Sequence, residues 1–351
     1  MTEKVRVCLV GCGRAGMVHG YNLKSFVPNA QLVAVVDADP TQAQRAAETL
    51  RVQDFFFSLE MALENVKFEA VVITTPTFTH ASLIVTAAEA GKHVFTEKPL
   101  CVTLEEADRI EASIRKSNVK FQIGFMRRFD ESYMRAKDLV DQGAIGEPIL
   151  VKSVGRGPGL PPPWYADPQK SNGLLAEVNS HDFDALRWFA EREITEVFAY
   201  SGNFKCPEYK NLYPNFYDTV TVNLRFENGI LGVIDGCCPA TYGYDARMEI
   251  LGTEGLILIG VRHPYSVVVW NRENQLLRDG NPSWRNLFRE AYRAELAHFI
   301  ECILQDKEPR VGLEDGRKAL EAVLAANLSI RSGQPVKLST STQIKHAGSD
   351  L

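Results

Sequence analysis

Gly11, Gly13 and Gly16 stand in the spacing G-x-G-x-x-G, within GCGRAG (11–16), after the apolar run VRVCLVG (5–11) and at a predicted helix start. In that context the motif carries chemistry. The first glycine permits a tight turn, the second lets a pyrophosphate approach the backbone, and the third lets helix and strand pack closely. The helix start adds N–H groups and partial positive charge for the phosphates. Arg14 and Met17 belong to the same turn and are counted with the cofactor residues. Asp37 ends the next strand, QLVAVVD (31–37), where a carboxylate meets ribose hydroxyls and repels a 2′-phosphate. No arginine follows in DADPT and Asp39 adds negative charge, so NAD(H) is expected over NADP(H). Asp39 itself reads as a turn residue.

A second group sits where an apolar strand stops. VFTEKPLCV (94–102) places Glu97 and Lys98 directly after buried-type residues and pins them with Pro99. In an open parallel sheet, ligands bind outside the carboxyl ends of the strands. The stretches TTPTFTH (74–80) and TEKPL (96–100) should end on the same edge as Gly11. Thr75, Pro76, His80, Glu97 and Lys98 are therefore expected beside the cofactor, with Lys98 toward the nicotinamide end. Pro99 restricts Lys98 to an extended conformation. A surface Glu–Lys pair beside a turn proline gives the same local pattern, and for His80 a helix-start packing role competes.

The elements that must position these groups alternate through residues 1–125. Strands are read at 5–11, 31–37, 70–76, 93–99 and 119–125, with helices at 40–50, 80–91 and 103–117. Two-sided apolar strands alternating with helices imply a parallel sheet covered on both faces. After about 125 the pattern changes. Helices are read at 132–143 and 174–190, around a Gly- and Pro-rich loop (155–173). TVTVNLRF (219–226) then alternates strictly, and Asn228-Gly229 signals a hairpin into ILGVIDG. ARMEILGTEGLILIG and SVVVWN extend the meander, and helices near 290–305 and 315–332 finish it. This half, 126–340, reads as a mostly antiparallel sheet with helices on one face, followed by a polar tail (341–351).

Bulk properties exclude several classes. The 351 residues suit about two domains, and 45% hydrophobic with 24% charged residues is ordinary for a soluble protein. A net charge of -5 points to neither nucleic acid nor an anionic membrane. No apolar run approaches the roughly 20 residues of a membrane helix, and no signal peptide is read at the N-terminus. Seven scattered cysteines suit reduced thiols in a cytoplasmic protein. No Cys/His cluster supports zinc, so no metal is expected.

Taken together, GCGRAG, Asp37, TPTFTHA, GKHVFTEKPL and GFMRRFD (124–130) resemble the Gfo/Idh/MocA family of sugar and cyclitol oxidoreductases, over nearly the whole chain. GFMRRFD followed by AKDLVDQGAIGEP is most similar to the inositol 2-dehydrogenase branch. The resemblance implies an α/β Rossmann domain plus a C-terminal α+β domain with a large, mostly antiparallel open sheet. It implies a homodimer or homotetramer built on that sheet's outer face. It makes Lys98 a catalytic-site residue and implies a cis Lys98–Pro99 peptide. The family's second signature maps NGLLAEVNSHDFD onto Glu177, His181 and Asp184. Glu177 and His181, at i and i+4 of the predicted helix, share a face. Inositol dehydrogenases have Asp where this chain has Glu177, one methylene longer. GRGPGLPPPWY also lacks the histidine-containing substrate segment of that branch.

The implied reaction oxidises a secondary hydroxyl of a cyclitol or pyranose by hydride transfer to NAD. His181 is the natural base, since an unperturbed imidazole titrates near about 6.5. Glu177 orients it or binds a hydroxyl, and Lys98 stabilises the reacting oxygen. Met126, Arg127, Trp164 and Asn179 are expected substrate contacts; Asp184 reads as a neighbour of His181 or as helix surface. Two alternatives stand: a glycosidase that retains NAD for transient oxidation, and a nucleotide-binding sensor without turnover. Keeping Lys98, Glu177 and His181 together argues against the sensor.

Overall fold

The computed structural model describes residues 4–159, 162–260 and 283–338. The chain divides into two compact units, residues up to Phe129 with Arg289–Arg317, and Asp130–Phe288 with the residues from Lys318.

In the first unit, strands β1 (Val5–Val10), β2 (Ala30–Val36), β3 (Asp54–Phe56), β4 (Ala70–Ile73), β5 (His93–Glu97) and β6 (Phe121–Gly124) form one sheet in the order β3-β2-β1-β4-β5-β6. Every described pairing in it is parallel. The strands are apolar on both sides because both sides are covered: Val7, Leu9, Val35, Val71, Val72 and Phe95 are fully buried. Helices α1 (Arg14–Ser25), α2 (Pro40–Leu50), α3 (Leu59–Asn65), α4 (His80–Glu89) and α5 (Leu104–Ser117) connect them. Asp39 is more than a turn residue. It caps α2 by accepting from the Thr41 N–H at 2.9 Å, ahead of Pro40 in the first turn. The unpredicted β3 is a three-residue edge strand whose first two residues are exposed, so it leaves no periodic apolar signal.

The second unit contains α6 (Glu131–Asp141), β7 (Pro148–Arg156), α7 (Pro163–Ala166), α8 (Gly173–Glu177), α9 (Ser180–Ala190), β8 (Ile194–Gly202), α10 (Pro207–Leu212), β9 (Thr219–Phe226), β10 (Leu231–Cys237), β11 (Asp245–Gly252), β12 (Leu256–Ile259) and α11 (Trp284–Leu287). After α12 (Arg289–Leu304) and α13 (Leu313–Ser332), β13 (Val336–Lys337) completes a seven-stranded sheet ordered β12-β11-β7-β10-β9-β8-β13. Only β7 and β10 pair in parallel; the other described pairings are antiparallel. The predicted turn between β9 and β10 holds, with both Asn228 and Gly229 at positive φ. SVVVWN and the polar tail lie outside the described residues.

One boundary differs from the sequence reading. Residues 289–317 belong to the first unit, not to the second. The reason is the apolar face of α12: Leu296, Phe299 and Ile300 are buried in one cluster with Val7, Leu9, Val72 and Phe95. Replacing Leu296 with alanine is expected to cost about 3 kcal/mol, read as a lower urea midpoint for the transition that reports the first unit. Among the described residues no helix is long and apolar enough to cross a membrane.

Candidate active site

In the first unit the glycine loop has the geometry its spacing requires. Gly11 sits at φ 94°, in the left-handed region, and a Cβ there would meet the Thr74–Thr75 backbone at 2.8 Å. A Cβ on Gly16 would lie 1.9 Å from the Gly11 carbonyl oxygen, so α1 packs against β1 at a distance only glycine allows. Thr74 Oγ1 locks the same oxygen with a 2.6 Å hydrogen bond. At Gly13, by contrast, an added Cβ meets nothing within 4 Å. The backbone there faces open space at the start of α1, which fits a pyrophosphate. Arg14 is exposed beside it, whereas Met17 turns partly into the core.

Asp37 follows β2 and is half-buried. Its Oδ2 accepts from the Cys12 N–H at 2.7 Å, and its Oδ1 from the Asp39 N–H at 2.9 Å. The carboxylate is thus tied to the glycine loop itself. Burial and this nearby charge push the Cys12 thiol up to about 12.

The ends of β4 and β5 stand beside the loop, β4 being β1's neighbour in the sheet. Thr75 and Pro76 are half-buried, and Thr75 Oγ1 accepts from Thr79 Oγ1 at 2.7 Å. His80 stands between the ends of β4 and β5. It is buried, with Nδ1 2.7 Å from the Pro99 carbonyl and Nε2 2.9 Å from that of Thr75. Burial pushes its pKa down while the two carbonyls pull it up. Both ring nitrogens lie against backbone carbonyls, one from each strand end, which is the geometry of the packing role. Glu97 is likewise turned inward: its carboxylate lies 2.7 Å from His19 Nε2 and accepts from the Lys98 N–H at 3.2 Å. Its carboxylate is thus engaged by two groups of the first unit. Lys98 is half-buried, and the Lys98–Pro99 peptide is cis, as the resemblance implies.

Met126 and Arg127, expected at the substrate, lie in a tight turn after β6 and are each 1% exposed. Arg128 is held by Asp315 at 2.8 Å.

The second unit breaks the predicted helix 174–190 in two, between α8 and α9. Glu177 is the last residue of α8 and His181 lies in the first turn of α9, so the shared face of a single continuous helix is not what relates them. Asn179 marks the break. Its Nδ2 donates to the Gly155 carbonyl at 3.1 Å and to Asp182 Oδ2 at 2.7 Å. Asn179 is fully buried, and a Cβ on Gly236 would strike its Oδ1 at 2.3 Å. Its side chain thus fastens α9 to β7 and packs against Gly236 of β10. Asp182, which the sequence reading passed over, completes the fastening through Ser153 Oγ at 2.5 Å. Asp184 is fully buried, not helix surface. Glu177 is half-buried and accepts from Ser171 Oγ at 2.8 Å, His181 is 5% exposed, and Trp164 is half-buried on α7.

Comparison with known proteins agrees with this geometry. Residues 5–125 match the model of an oxidoreductase family's NAD-binding Rossmann fold, and residues 137–338 match the C-terminal alpha/beta domain of the same family, Gfo/Idh/MocA. The chain is 36% identical to a scyllo-inositol 2-dehydrogenase (NAD(+)) of Bacillus subtilis, covering 96% of this chain and 97% of that one. It is 34% identical to a myo-inositol 2-dehydrogenase of Thermotoga maritima, covering 95% and 98%. The structure of scyllo-inositol dehydrogenase from Lactobacillus casei with bound NAD(H) and scyllo-inositol superposes with a TM-score of 0.85 at 30% identity, covering 95% and 99%.

Proposed function

This chain belongs to the Gfo/Idh/MocA oxidoreductase family, and on that premise we propose that it is an NAD(H)-dependent dehydrogenase of an inositol-class cyclitol. The observation that carries the reading is the glycine loop tied to Asp37 beside the strand end that bears Lys98. The similarity to inositol dehydrogenases supplies the substrate class.

NAD, when bound, supplies the hydride acceptor. The residues that would hold it are Gly11, Gly13, Arg14 and Gly16 for the pyrophosphate, Asp37 for the adenosine ribose, and Thr75 and Pro76 along the strand ends. The protein's own task is the proton. His181 accepts it from the hydroxyl as general base. Glu177 orients that imidazole or receives a neighbouring hydroxyl. The Lys98 ammonium hydrogen-bonds the reacting oxygen and stabilises its developing negative charge. Trp164 has a face suited to stacking on the ring of the polyol.

Nicotinamide absorbance with NAD and a panel of inositols, aldopyranoses and disaccharides tests this. Reduction with myo- or scyllo-inositol is the expected result. Reduction with a pyranose only would overturn the cyclitol assignment, and hydrolysis of a glycoside without net NADH would place the chain with the retained-cofactor hydrolases.

Asp37 gives a further expected outcome. Asp37→Ala removes the carboxylate that would repel a 2′-phosphate, so the preference for NAD over NADP should fall by about tenfold or more, roughly 1.4 kcal/mol. Steady-state constants for both cofactors check this.

The reading includes a homodimer or homotetramer through the outer face of the second unit's sheet. That face carries Leu231, Leu256 and Leu258 at 47%, 50% and 49% exposure, beside the half-buried Leu150 and Val233. Apolar residues so exposed on neighbouring strands suit burial against a second copy. Seven buried, unbridged cysteines support a reducing, cytoplasmic setting.

A further inference from the structure

The first unit holds a sealed cluster that the mechanism above does not use. His19 of α1, Glu97 at the end of β5 and Glu295 of α12 are all buried, and each offers a nitrogen or oxygen within 4.8 Å of the others. His19 is walled by Phe95 and by the edge of Tyr292, with ring centroids 5.3 and 5.5 Å away. Gly124 on β6 leaves the room that Glu97 fills, since a Cβ there would sit 3.3 Å from its carboxylate. Glu295 is fully buried, yet neither of its carboxyl oxygens has a hydrogen-bond partner among the described residues. Its backbone carbonyl accepts from Gln122 Nε2 at 2.8 Å, which fixes that turn of α12 beside β6.

Charge decides what such a cluster can be. Two carboxylates side by side in a sealed site do not both ionise; their environments push the two apart. Glu97 has the partners that favour the charged form. Burial pushes it up, but the hydrogen bond and charge of His19, with Lys98, more than offset this and hold it below its ordinary value. Glu295 has none of these, and burial, then the Glu97 charge, hold it well above the carboxylate range. The titratable groups about Glu97 are His19 from α1, Lys98 after its own strand end, Glu295 from α12, and His80 from α4, which feels its charge.

We propose that His19 and Glu295 are positioning residues for the oxidation: with Glu97 they form a buried cluster in which Glu295 is a neutral carboxylic acid, and which holds the Glu97 carboxylate against the Lys98 backbone. The link to Lys98 is the hydrogen bond from its N–H to Glu97 Oε2. Displacing Glu97 therefore moves the backbone from which the Lys98 side chain springs. The proposal rests on Lys98 acting at the reacting oxygen.

The test uses the full chain with NAD and has two independent arms. Infrared spectroscopy in D₂O at neutral pH is expected to show a buried carboxylic-acid carbonyl band that disappears in Glu295→Gln and persists in Glu97→Gln. A wild-type spectrum without the band overturns the protonation assignment. In the kinetic arm, Glu295→Ala is expected to lower kcat by about ten- to a hundredfold with the KM for NAD little changed, because a small displacement of a reacting group has that effect. Glu295→Gln, neutral and of the same shape, is expected to restore most of the loss. A Gln variant as damaged as the Ala variant overturns the neutral-acid role. So does a stoichiometric divalent metal in the purified protein that both variants lose, which would make the cluster a cation site. If Lys98→Ala keeps its turnover, the reading of Lys98 fails and the positioning role falls with it, while the infrared arm still reports the state of Glu295.

Discussion

Lys98→Ala is expected to lower kcat by about 10²–10³-fold while the Kd for NAD stays close to that of the unaltered protein. The magnitude is that of removing one preorganised donor from a developing negative charge. The separation of the two effects follows from the geometry of the first unit. The cofactor cradle is made by the glycine loop and Asp37, and the turn is locked by Thr74 rather than by Lys98. The Lys98 backbone is held separately, through its N–H on Glu97. Removing its side chain leaves the cradle's hydrogen bonds in place. NAD titration by protein fluorescence, run beside steady-state kinetics, makes the check. Loss of NAD binding with unchanged kcat at saturation would move Lys98 from the chemistry to the cofactor site.

His181→Gln is expected to lower kcat by about 10²–10⁴-fold, the range for removing a positioned general base. The substitution keeps a hydrogen-bonding group of similar length, and α9 stays fastened by Asn179, Asp182 and Ser153, none of which is touched. The fold should survive, which circular dichroism and the thermal midpoint will show. The distinguishing signature lies in the pH profile. A base must be unprotonated to work, so the unaltered enzyme loses rate as pH falls, and the Gln variant should have lost that acid limb along with its rate. A variant that is slow but keeps the limb would show that another group takes the proton.

The sequence alone determined the cofactor half of this protein. Its signals are contiguous: the three glycines, the strand before them and the helix after them lie within a few residues, and the close approach of Gly16 to the Gly11 carbonyl is a local demand. Apolar, two-sided strands alternating with helices leave few arrangements besides a covered parallel sheet. The order β3-β2-β1-β4-β5-β6 also places the ends of β4 and β5 near the loop, where Lys98 was expected.

Tertiary structure decided the rest, because the determinants are far apart in the chain. Nothing around residue 179 says that its side chain will be taken by a carbonyl of β7, yet that bond accompanies the break between α8 and α9. Helix α12 reads as an ordinary amphipathic segment, and only the core beneath β1 claims Leu296 and Phe299 for the first unit. His19, Glu97 and Glu295 come from three elements separated by most of the chain. Their chemistry comes from burial and mutual charge, which exist only once the chain has closed around them.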